Sequence, residues 1–150
     1  LCEKIQDGPR RKILRFPCKG MELWKKAGQV LISPLEKRFY CEGIRTDKEY
    51  PACGINALAH YTWLNPDPER MLMLTSKEYR SLKSAEAFDS PNVFDGKIIV
   101  EVWKYPVIKM AEENKEWVDR LSLALSLGND DDPRIEKEVE RMINDIQWKD

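Results

Sequence analysis

Apolar positions along this chain change period more than once, and each change marks an element. Lys12 to Phe16 alternates, with Ile13 and Arg15 on one side and Leu14 and Phe16 on the other, a short strand stopped by Pro17. Met21, Trp24, Lys25 and Gly28 fit a short helix, while "QVLI" reads as a strand ending at Ser33 and Pro34. "KRFYCEG" is a further strand and "RTDKEYPA" a polar loop. In "CGINALAHYTWL" apolar residues spread around a helix that must end near Leu64, because Pro66 and Pro68 follow.

The second half repeats the change of period. "RMLMLTS" predicts a strand and "SKEYRSLKSAEAF" a short helix or ordered loop. After the turn dipeptide Asp95-Gly96, Lys97 to Tyr105 is an apolar, β-branched run and the clearest strand of the chain. Leucines at 121, 123, 125 and 127 alternate as a strand would, yet Val118, Leu121, Ala124 and Leu125 also fit a helical stripe that Gly128 could close; the reading adopted is helix. Last, Asp132 caps a helix with Pro133 in its first turn, and Ile135, Val139, Met142, Ile143 and Ile146 form one apolar face. Strands early and helices late predict an α+β fold: a small mixed or antiparallel sheet packed with helices, ending in two carboxy-terminal helices.

At 150 residues with 42% apolar content the expectation is a single domain over 1–150. The first residue is Leu1 rather than methionine, so the chain reads as a fragment of a longer protein. Its 25 basic and 26 acidic residues nearly cancel, but unevenly. Residues 1–26 hold eight bases against three acids, and the last forty hold twelve acids against six bases. Cysteines at 2, 18, 41 and 53 lack the close spacing of a structural zinc site and are read as free thiols. With no secretory pattern and no apolar run long enough for a membrane helix, the expected setting is a reducing cytoplasm, with no membrane partner.

Three constellations could carry chemistry. On one helix, Cys53 and His60 would lie about 10.5 Å apart along the axis, too far for a nucleophile and its base. His60 is therefore read as packed and hydrogen-bonded, with Asn56 one turn back as a partner. The run "GNDDDPR" lacks the alternation and closing glutamate of a calcium loop and suits a helix start. "SPNVFDGKIIVEVWK" resembles a restriction-nuclease core, with Asp95, Glu101 and Lys104 as the candidate metal-dependent set. Such cores separate the strand acid and lysine by one residue; here they are three apart and face opposite sides of a strand. No phosphate-cradling glycine loop or nucleophile elbow is present.

What remains is "GPRRKILRF" followed by Lys25 and Lys26. Arg10, Arg11, Lys12, Lys25 and Lys26 are candidates for sequence-blind contact with nucleic-acid phosphates. Trp117 and Trp148, flanking the last helices, are candidates for contact with a partner.

The stretch "CGINALAHYTWLNPDPERMLML" resembles the segment after the winged helix in bacterial AbiEi-type antitoxin regulators, and "VDRLSLALSLGNDDDPRIEKEVERMINDIQW" is similar to the closing helices of such proteins. The resemblance covers about half the chain. It implies a non-enzymatic protein, without metal or cofactor, that represses its own operon or engages a toxin, with DNA contacts, a cognate toxin or self-association as the partners. The chain shows no helix-turn-helix pattern, so DNA contact would be accessory, and no catalytic residue carries over.

Overall fold

The computed structural model describes residues 1–108 and 116–148, which form two compact units. The first comprises Leu1–Ile32 and the chain end from Ile146; the second is Ser33–Asp145.

In the first unit, β1 (Glu3–Gln6) and β2 (Lys12–Arg15) form an antiparallel hairpin with Ile5 opposite Ile13 and Gln6 opposite Lys12. Gly8 turns the chain at φ +83°, a left-handed conformation glycine tolerates. Helix α1 (Gly20–Ala27) follows, with Glu22 in its first turn and Lys25 and Lys26 in its last, matching the helix dipole. "QVLI" is not a strand: the Val30 and Leu31 amides both donate to the Ala27 carbonyl, at 2.8 and 3.0 Å, so the helix exit takes the hydrogen bonds a ladder would need.

The second unit is built on a mixed three-stranded sheet. Its strands are β3 (Leu35–Cys41), β5 (Arg70–Thr75) and β7 (Ile98–Trp103), in the order β3-β7-β5. β7 runs antiparallel to β3 and parallel to β5. Two-residue strands β4 (Gly43–Ile44) and β6 (Phe88–Asp89) form a minor ladder. Every β7 residue is buried, as a central strand covered on both faces requires.

Alternation along the strands assigns the two faces. Phe39, Cys41, Leu72, Leu74, Ile98, Val100 and Val102 form one core, covered by Tyr79 and Leu82 of helix α3 (Ser76–Ser84) and by Phe88. α3 is the crossover between the parallel strands β5 and β7. It starts at a capping box in which Thr75 Oγ1 accepts from the Glu78 amide (3.2 Å) and the Glu78 carboxylate accepts from the Thr75 amide (3.0 Å).

The opposite face carries Met71, Met73, Ile99, Glu101 and Trp103, in register with Arg38. Helix α2 (Gly54–Tyr61) packs on β5 and against α4 (Arg120–Ser126) and α5 (Pro133–Asn144). α2 stops at Tyr61, before Leu64, because Thr62 turns extended and its hydroxyl donates to the Leu58 carbonyl. The leucine run is a helix capped by Asp119, which presents Leu123, Ala124 and Leu127 to the core rather than a strand face. Asp132 caps α5, accepting from the Arg134 amide at 2.9 Å, and Ile135, Met142 and Ile143 are buried. The fold is α+β and closes on two helices. Among the described residues, no helix is long and apolar enough to cross a membrane.

Candidate functional site

The hairpin is the most exposed ordered element: β2 is exposed throughout and β1 at all but Ile5. Opposed residues share a face, so Lys4, Gln6, Lys12 and Leu14 lie on one side and Glu3, Ile5, Ile13 and Arg15 on the other. Arg10 and Arg11 sit in the connecting turn, both exposed. Arg10, Arg11 and Lys12 are thus consecutive at the hairpin's end. Lys25 and Lys26 lie exposed on the last turn of α1, in the same unit. Two of the five cations have acidic neighbours: Arg11 Nε lies 3.6 Å from Asp7, and Lys26 Nζ lies 2.8 Å from Glu22. Both pairs are solvent-exposed, so each contributes little and is open to exchange for a phosphate.

Trp148 and Trp117 belong to different units. Trp148 packs on α1, its Cβ 3.1 Å from where a side chain on Gly20 would begin; its half-buried ring leaves the indole N–H without a partner among the described residues. Trp117 stacks flat on His60, with centroids 4.2 Å apart and planes 2° from parallel. It also lines a cleft of about 520 Å³ with Tyr50, Ala52, Pro66, Met71 and Arg70.

His60 is packed, but on aromatic rings: Tyr61 meets it edge-on at 4.9 Å. Asn56 is engaged elsewhere, donating to the Glu69 carbonyl (2.7 Å) and accepting from the Asp67 amide (2.8 Å). Partial burial, and then the nearby Arg120 cation, hold the imidazole below its ordinary value of 6.5.

Of the nuclease set, Glu101 is fully buried in mid-strand. Its Oε2 accepts from Arg38 Nε (3.1 Å) and Nη2 (2.5 Å), and its Oε1 from Trp103 Nε1 (3.1 Å). Both oxygens are thus engaged by donors inside the fold. Asp95 lies in an exposed turn, and Lys104 is exposed just past the end of β7. Among the described residues no three metal-ligating side chains gather. Cys53, the residue before α2, is fully buried; burial, and then the Glu101 carboxylate it hydrogen-bonds, push its thiol well above the ordinary value. A thiol so held is protonated at neutral pH and a poor nucleophile.

The strand sequence carried a signal for this cluster, a single carboxylate in "IIVEVW". A charge on an apolar, centrally placed strand needs a buried partner. Arg38, 63 residues away, could not be identified as that partner without the β3–β7 register, which sets it opposite Glu101. No family model, curated protein or solved structure matches the chain.

Proposed function

We propose that this chain is a non-catalytic binding domain of a bacterial transcriptional regulator or type IV antitoxin-like protein, working in the cytoplasm, and that its hairpin makes accessory contact with DNA phosphates. One observation carries the reading: three consecutive cations, Arg10, Arg11 and Lys12, stand at the end of an exposed two-stranded ribbon, with Lys4 beside Lys12 on one face. A ribbon of this kind fits a DNA groove, and a flexible cation cluster gives affinity without base selection. Lys25 and Lys26 extend the charge within the same unit. A cognate toxin is the protein partner this reading implies.

The test is fluorescence anisotropy with mixed-sequence duplex DNA over a salt series, using Arg10→Glu, Arg11→Glu and Lys12→Glu combined. Each phosphate contact adds about 0.9 to the slope of log affinity against log salt, so three lost contacts lower it by roughly 2.7. Circular dichroism should be unchanged, because all three side chains are exposed. An unaltered slope and affinity would remove the role assigned to the hairpin.

A further inference from the structure

The geometry points to a binding site for a dianionic phosphate group on the second unit, formed by Lys37 of β3 with Tyr79 and Lys83 of α3. Lys37 precedes Phe39 by two positions, so both side chains leave β3 on the face that α3 covers. Lys83 follows Tyr79 by four, which puts the two on one face of the helix. The three side chains meet at the phenol. Lys37 Nζ donates to the Tyr79 hydroxyl at 2.7 Å and lies 4.7 Å from the ring centroid. Lys83 Nζ lies 5.7 Å from the same centroid and acts on the phenol by charge and by hydrogen bond.

Core packing fixes the ring. Its centroid is 5.6 Å from that of Phe39 and 5.9 Å from that of Phe88, and those two rings meet edge-on at 5.1 Å. The capping box at Thr75 sets where α3 begins. A hydroxyl held in this way is in place before a ligand arrives, which lowers the ordering cost of binding.

Charge selects the ligand. Neither lysine is in an ion pair among the described residues. The acids of the surrounding elements are engaged elsewhere: Glu36, beside Lys37, accepts from the Ser76 hydroxyl (2.7 Å), Glu78 accepts from the Thr75 amide (3.0 Å) and hydroxyl (2.9 Å), and Asp89 pairs with Arg45 (2.8 Å). Glu42 and Glu86 are exposed and pair with neither lysine. Lys77 and Arg80, exposed on α3, add positive charge. Partial burial alone would raise the Tyr79 phenol, but Lys37 and then Lys83 outweigh it and hold the group below its ordinary value of 10.0. A phosphate dianion brings two charges to two ammonium groups and has an oxygen left to accept from the phenol. A DNA diester brings only one charge, so this site has a different preference from the hairpin and stands independently of it.

Amide NMR of the full chain at pH 8 and constant ionic strength tests it, with inorganic phosphate, adenosine monophosphate and dimethyl phosphate as probes and chloride as the control. Millimolar inorganic phosphate should shift the signals of Lys37, Tyr79 and Lys83. It should also raise the Tyr79 ionisation midpoint toward 10.0, because the anion takes the ammonium contacts from the phenolate. Lys37→Gln and Lys83→Gln should each weaken binding about tenfold. Tyr79→Phe keeps the packed ring and should weaken it too. Dimethyl phosphate, with one charge, should bind at least about tenfold more weakly than inorganic phosphate. Adenosine monophosphate binding more tightly than inorganic phosphate supports the site with an ester as its ligand, and the reverse order supports it with the free ion. No response beyond the chloride control overturns the proposal. So does a response that survives both lysine changes, or one equal for the diester.

Discussion

Removing Arg38 should destabilise the protein more than removing the charge of Glu101, although Arg38 is the more exposed of the two. Glu101 is 0% exposed and its partner's side chain 42%. In Arg38→Ala the carboxylate keeps Trp103 Nε1 and the Cys53 thiol but loses both guanidinium bonds and their charge. Breaking a wholly buried ion pair costs about 3–5 kcal/mol. Water can enter from the open side that Arg38 occupies, which brings the expected loss to about 2–3 kcal/mol. In Glu101→Gln the stranded group is instead the half-exposed guanidinium, which water can solvate, so the loss should be about 1–2 kcal/mol. A combined Arg38→Met, Glu101→Leu change removes the charges together and should fall within about 1.5 kcal/mol of wild type. Urea unfolding followed by tryptophan fluorescence gives all three differences, provided the denaturant slope is unchanged. The reasoning is refuted if Arg38→Ala costs under about 0.5 kcal/mol, or if the double substitution is as damaging as Arg38→Ala alone.

Two further outcomes follow from buried and stacked titratable groups. The protein has a single histidine, so its NMR titration is unambiguous; its midpoint should lie below 6.5 and rise when Arg120 becomes Met. Because the imidazole takes a proton less readily folded than unfolded, its contribution to stability is full above about pH 6.5 and falls as the solution is acidified; His60→Gln should flatten that part of the stability profile, and a midpoint above 6.5 would contradict the assignment. Among the thiols, Cys2 is exposed while Cys18, Cys41 and Cys53 are buried. Ellman's reagent at pH 8 should therefore find one fast thiol in the folded protein, abolished by Cys2→Ser; a second fast thiol would show that burial does not protect Cys18, Cys41 or Cys53.

The sequence determined the elements that have strong local chemistry. Asp132-Pro133 and the apolar face behind it fixed the last helix, and the β-branched run after Asp95-Gly96 fixed the central strand. The basic stretch from Arg10 to Lys12 was legible as a cation cluster because three consecutive charges follow the turn signal Gly8-Pro9. "QVLI" misled because its β propensity was overridden by hydrogen bonds at the exit of α1. β1 was missed because "EKIQ" has almost no alternation and is a strand through its pairing with β2. His60 could be separated from Cys53 by helical rise alone, but its stack on Trp117 joins residues 57 apart in the chain. The same holds for Arg38 with Glu101. Periodicity and capping act between near neighbours and can be read along the chain, whereas these contacts depend on strand register and on how helices pack across a sheet, which only the folded chain decides.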